Sequence, residues 1–147
     1  MAEDTKLRPA YSKEEMKARA FVRIANVLKE NAEEGRFPHS RFFETLMPDE
    51  WIVSGRSVNG GGWREHVVPC AYLARECINL FEGGATVEEV VVLLEKYLRI
   101  VYITRAERHV IDFELGFRST MPEGWVFGKG EPLQRLIEAK IVLEDLG

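Results

Sequence analysis

Trp51-Ile52-Val53-Ser54-Gly55-Arg56-Ser57-Val58-Asn59-Gly60-Gly61-Gly62-Trp63-Arg64-Glu65-His66-Val67-Val68-Pro69 is the stretch on which the fold turns. Trp51–Val58 reads as extended chain, and so does Trp63–Val68. Between them Asn59–Gly62 is the strongest turn signal in the sequence, because glycine and asparagine tolerate the left-handed backbone that tight turns require. Two extended runs around such a turn predict a β-hairpin near 51–68, with its register left open by the glycine run. Pro69 then falls at the first turn of a helix, where its missing N–H does no harm.

Outward from this stretch the pattern is helical. On the C-terminal side Leu73, Cys77, Leu80 and Phe81 form one apolar stripe, ended by Gly83-Gly84. Thr86-Val-Glu-Glu89 is a capping box opening a helix to about Tyr97. Leu98–Ile103 is a β-branched run and predicts a short strand. Thr104-Arg-Ala-Glu107 is a further capping box, starting a helix over 105–115 that should bury Ala106, Val110 and Phe113. Residues 117–130 read as irregular, and a last helix over 132–142 should bury Leu133, Leu136, Ile137 and Ile141. On the N-terminal side, Ser12-Lys-Glu-Glu15 caps a helix from Lys13 to Glu34 with Ala20, Phe21, Ile24, Val27 and Leu28 inward and Gly35 at its end. Ser40 can cap a short helix over Arg41–Met47, which Pro48 stops. Residues 1–11 show no hydrophobic period and read as a mobile tail. The expectation is an α+β fold: a mainly helical single domain over 12–147 with a small antiparallel β element, the hairpin near 51–68 and the short strand near 98–103.

The 147 residues are 46% hydrophobic and 30% charged, a balance that excludes a wholly disordered chain or a fibre. No apolar run reaches the ~18–20 residues of a membrane span, and the polar, acidic start is not a secretory signal. Cys70 and Cys77 fall about two helical turns, or ~10.5 Å, apart, too far for a disulfide. A reducing cytoplasm is the compartment these features suit. The net charge of −4 argues against coating nucleic acid through bulk charge, while leaving room for a local basic groove.

Chemistry concentrates at Arg64-Glu65-His66-Val67-Val68-Pro69. A carboxylate is a hard oxygen ligand for Mg²⁺ or a similar ion. A histidine beside it titrates near neutrality and can deprotonate water. This run resembles the opening motif of the HNH nucleases, the ββα-metal superfamily. The resemblance implies a second strand and a helix completing the core, for which Leu98–Ile103 and Thr104–Leu115 have the right order, with 70–97 a two-helix insertion. It implies metal-dependent hydrolysis of nucleic-acid phosphodiesters: His66 as the base, Glu65, His109 and Asp112 around the metal, and Arg64 or Arg105 on phosphate. Mg²⁺ or Mn²⁺ is the divalent metal expected first, with Zn²⁺ or Ni²⁺ as alternatives. Neighbours on a strand face opposite ways, so Glu65 and His66 serve one phosphate only if the strand is kinked between them.

Other signals are weaker. The spacings of His66, Cys70, Cys77 and His109 match no zinc signature. Gly60-Gly61-Gly62 lacks the Lys-Ser/Thr of a phosphate-cradling loop. Trp51, Trp63 and Trp125 are candidate stacking platforms or packing residues. Cys70, at a helix start, is expected to be more reactive than Cys77 on the apolar stripe. A second function class fits the same chain: a non-catalytic binding protein of phage or mobile-element type that inhibits or recruits a protein partner through an acidic surface. No membrane partner is expected. The test between the classes is whether Glu65, His66 and His109 converge within ~4–5 Å of a shared point.

Overall fold

The structure is a computed structural model that describes residues 11–39 and 41–144. The tail expected over 1–11 falls outside them except for Tyr11, whose ring lies 4.3 Å from the Arg19 guanidinium, and so does Ser40, the expected cap of the short helix. Helix α1 spans Lys13–Glu34. The Glu15 amide donates to Ser12 Oγ at 3.2 Å and the Ser12 amide donates to Glu15 Oε1 at 2.8 Å, so the capping box forms as its sequence dictates. Gly35 ends the helix in the left-handed conformation, φ 67°. The short α2 is Phe42–Leu46, followed by a 3₁₀ turn over Asp49–Trp51. Strands β1 and β2 are Val53–Ser57 and Trp63–His66. Helix α3, Cys70–Glu82, begins directly after Pro69, and α4, Val87–Tyr97, carries the Thr86 capping box. Strand β3 is Ile100–Ile103. Helix α5 is Arg105–His109, with a π-helical turn over Val110–Glu114; α6 is Gln134–Glu138, and β4 is Leu143–Glu144. The fold is mainly helical α+β.

The helical layer is α1 packed on α3 and α4. Ala20, Phe21, Ile24, Ala25 and Leu28 of α1 are buried, as are Leu73, Ala74 and Cys77 of α3 and Val90, Leu94 and Tyr97 of α4. These are the stripes that helical periodicity picks out.

The sheet departs from the expected hairpin. Its order is β2-β3-β1-β4, so β3 lies between the two strands that the glycine turn joins. β3 pairs antiparallel with β2, Trp63 opposite Ile103 and His66 opposite Ile100, and parallel with β1. β4 pairs antiparallel with β1, so the sheet is mixed rather than antiparallel. The cause is composition. Ile100, Val101 and Ile103 are wholly buried, and a strand apolar on both faces belongs at the centre of a sheet. The glycine run therefore closes no hairpin; it straps across the end of β3. Gly61, at φ 88°, passes so close that a Cβ there would stand 2.4 Å from the Ile103 carbonyl oxygen. The antiparallel β2–β3 pair followed by α5, with α3 and α4 inserted between the strands, is the element order expected of the motif region.

The last third of the chain departs too. Ala106 and Phe113 are exposed, and Ile111 and Asp112 are buried instead. The Leu115 amide reaches back five residues to Val110 O at 2.9 Å, and this wide turn shifts the inward register. In the last helix Ile137 is 54% exposed while Arg135 has no exposed surface. Residues 122–131 fold back on α4: the buried Tyr97 hydroxyl donates to Gly130 O at 2.8 Å, with the Trp125 and Phe127 rings 5.2 and 5.1 Å from its own. Among the described residues no helix is long and apolar enough to cross a membrane.

Candidate functional site

β2 pairs with β3 residue by residue, with no bulge. The kink that would bring Glu65 and His66 to one point is therefore not there, and the two side chains face opposite sides of the sheet. Trp63 and Glu65 share the side of α5; Arg64 and His66 share the other.

On the far side Arg64 is taken up by carboxylates: Nη2 donates to Asp49 Oδ1 at 2.9 Å, and Glu44 lies 3.5 Å away. The expected phosphate ligand is thus spent within the chain. Burial and then the Arg64 charge push His66 down to about 4. Its ring is neutral at pH 7 and a weak base, on the side of the sheet away from Glu65.

On the near side the structure brings together Glu65, Arg105, His109 and Asp112, four of the six residues expected at the site, and adds three more. Arg135 reaches from α6 into the interior, where Nη2 donates to Glu65 Oε2 at 3.1 Å and to the His66 carbonyl, Nη1 donates to Phe117 O at 2.8 Å, and Nε donates to Val67 O at 3.3 Å. Arg108 lies 4.0 Å from Glu65 and 3.4 Å from Asp112, with its guanidinium 4.7 Å from the centroid of the Trp63 ring. Arg105 stands 5.9 Å from the same ring, is exposed, and enters no ion pair among the described residues. His109 is exposed, its ring 5.1 Å from that of Phe113, which is itself 65% exposed. Trp63, Arg105, Arg108, His109, Asp112 and Phe113 line a pocket of about 210 Å³.

The local structure explains how this face is held. Ser57 Oγ donates to Glu107 at 2.7 Å and Asn59 Nδ2 at 3.0 Å, and the Thr104 amide donates to the other oxygen of the same carboxylate at 2.8 Å. Against the cost of partial burial, these bonds hold Glu107 below the usual carboxylate range. They tie the glycine strap to the start of α5 and so fix where Arg105, Arg108 and His109 emerge.

The donor set, so arranged, does not fit a divalent cation. Both carboxylates face guanidinium groups, which put positive charge where an ion would sit. Burial pushes the Glu65 carboxyl above the usual carboxylate range, against the pull of Arg135 and Arg108 and with the Asp112 charge adding to it. Among the described residues no three of His, Cys, Asp or Glu gather as metal ligands. Cys70 is half-buried and Cys77 wholly buried, the order of exposure expected, and burial pushes both thiols up to about 12.

Two residues of this face, Arg108 and Arg135, are absent from the site that the sequence predicts, and Trp63 stands there only as a candidate stacking or packing residue apart from the motif. Trp63 lies two residues before Glu65, the spacing that puts both on one strand face. Arg108 and Asp112 have the i,i+4 spacing of a helical ion pair. Arg135 sits among Leu133, Leu136 and Ile137, and a charge within an apolar run is a signal for a buried polar hub. No family model, no curated protein and no solved structure matches the chain.

Proposed function

We propose that this chain is a nucleic-acid-binding protein that works through the α5 side of its sheet, by binding rather than by hydrolysis. One observation carries the reading: two guanidinium groups, Arg105 and Arg108, lie 5.9 and 4.7 Å from the ring of one partly exposed indole, Trp63, beside the exposed His109 and Phe113. Arginine is the side chain best matched to phosphate, since its planar fork donates two parallel hydrogen bonds. Aromatic rings beside it supply stacking surface for bases. The net charge of −4 disfavours binding through bulk charge and calls for a local site such as this one. A cytoplasmic setting goes with this reading.

Hydrolysis of the HNH type would require Glu65 and Asp112 to exchange their arginines for a metal ion. It would also require His66 to cross to the other side of β2. The arrangement of these three groups favours binding over catalysis.

The test is fluorescence anisotropy with labelled oligonucleotides at low salt, with a cleavage assay on the same substrates in Mg²⁺, Mn²⁺, Zn²⁺ and Ni²⁺. Binding that Arg105→Ala and Arg108→Ala each weaken, with no cleavage, is the expected result. Cleavage lost in His66→Ala would restore the hydrolytic reading. An acidic peptide that competes as well as the oligonucleotide would replace the nucleic acid by a protein partner.

A further inference from the structure

Resting on that reading, we infer that the Trp63–Phe113 pocket takes an unpaired base, so that the ligand is single-stranded nucleic acid held by stacking more than by charge. The pocket, at about 210 Å³, is smaller than the ~300–1,000 Å³ of sites for drug-sized ligands. It accommodates one flat group. Its walls suit such a group: the Phe113, His109 and Trp63 rings line it, the indole already carrying the Arg108 guanidinium at 4.7 Å, and Arg105, Arg108 and the Asp112 carboxylate complete the lining. Phe113 is 65% exposed and Trp63 38%. An acidic peptide offers a π-face only where it carries an aromatic side chain, whereas every base of a single strand has one, and a duplex keeps its bases stacked inside. A base that enters from a flexible single strand leaves its flanking phosphates beside the two arginines.

Charge alone would not hold a polyanion here. Glu65 and Asp112 stand directly behind Arg108, and the whole chain carries −4. Stacking does not depend on overall charge and tolerates any base. Two phosphate contacts release few counterions. With a slope of about −0.7 per contact for single strands, affinity should fall only ~7-fold between about 50 and about 200 mM salt.

The experiment compares three labelled ligands by anisotropy: an oligothymidylate of about 15 nucleotides, an abasic strand of equal length and charge, and a duplex. The thymidylate should bind best, and the abasic strand should bind at least tenfold more weakly. Phe113→Ala, which removes an exposed ring and no core volume, should weaken thymidylate binding ~5- to 150-fold and leave the weak abasic binding unchanged. Trp63→Ala should also weaken thymidylate binding, with circular dichroism confirming that it folds, and should lower abasic binding too, because Arg105 and Arg108 lie against this ring. Abasic binding equal to thymidylate binding overturns the stacking inference while leaving nucleic-acid binding in place. So does a duplex that binds more tightly than the single strand, or a Phe113→Ala protein that binds like wild type. No binding of any of the three ligands overturns the inference and the proposed function together.

Discussion

Arg135 carries a full charge with none of its surface exposed, and it holds four acceptors at once: Glu65 and the carbonyls of His66, Val67 and Phe117. A guanidinium cannot lose its proton at any working pH, so the site must supply acceptors for its donors. Glu65 supplies the charge, the end of β2 supplies two of the carbonyls, and Phe117, beyond α5, supplies the third. Removing one partner of such a pair leaves the other buried and unpaired. Arg135→Met should therefore cost about 3–5 kcal/mol in urea unfolding. The double change Glu65→Leu with Arg135→Met should recover part of that loss, because no ionised group is then stranded. A double variant less stable than Arg135→Met alone would show that Glu65 has some task besides pairing. His66 sits on the other side of the strand and gives a pH signature. Its folded pKa of about 4 lies below the ordinary 6.5, so the unfolded chain binds the proton more tightly. This term stabilises the fold fully above about pH 6.5 and is lost as pH falls toward about 4, by up to about 3 kcal/mol. Subtracting the stability profile of His66→Gln from that of wild type between those limits isolates it. A flat difference would mean the ring is no more buried than in the unfolded chain.

At the scale of elements, the sequence discloses what local chemistry decides. Ser12, Thr86 and Thr104 each close a capping box because hydroxyl and carboxylate stand three residues apart, and no distant contact is needed to see it. The stripes of α1, α3 and α4 are legible for the same reason. Which strand lies beside which is set by long-range burial, so the glycine run could be read as a turn while its role in crossing β3 could not. That role can be tested. Gly60 and Gly61 both have positive φ, 84° and 88°, but a Cβ at Gly60 meets open space. Gly60→Ala should cost about 1 kcal/mol, from backbone strain alone. Gly61→Ala adds a collision with the backbone of β3, which its two neighbouring strands hold in place, and should cost roughly 3 kcal/mol or more. Equal midpoints in chemical unfolding would show that the strap moves away from β3 freely. The inward register of α5 and the turn after it, as distinct from the residues Arg105, His109 and Asp112, was hidden for a different reason. Its inward positions include Glu107, Arg108 and Asp112, and a helix packed through charged groups leaves no hydrophobic period to follow.

For the whole molecule the question is which sign of charge the α5 side is built to receive. The chain is acidic overall, yet among the described residues of this side Arg105, Arg108 and Arg135 stand against Glu65 and Asp112, while the Glu107 carboxylate is turned to Ser57, Asn59 and the Thr104 amide. The residues that resemble a metal-binding motif were legible in the sequence. The arginines that neutralise them were not, because they arrive from α5 and α6, far along the chain. Binding an anion leaves the network intact, whereas binding a divalent cation has to displace a guanidinium. Arg135 is buried and cannot leave. Arg108 is 36% exposed and can. The balance should therefore be tunable at one residue. In wild type, millimolar Mn²⁺ should leave the melting temperature where it is, because Arg108 already occupies the space between Glu65 and Asp112. Arg108→Ala should melt lower without metal and recover on adding Mn²⁺. The recovery follows RT ln(1 + [L]/Kd), so a site filled to a hundred times its Kd would return about 2.7 kcal/mol. The same variant should bind oligothymidylate more weakly, having lost one of its two rim cations. A rise of several degrees in wild type would mean that Glu65 and Asp112 release Arg108 to a metal unaided. The α5 side would then be a cation site, and hydrolysis would again be the better reading.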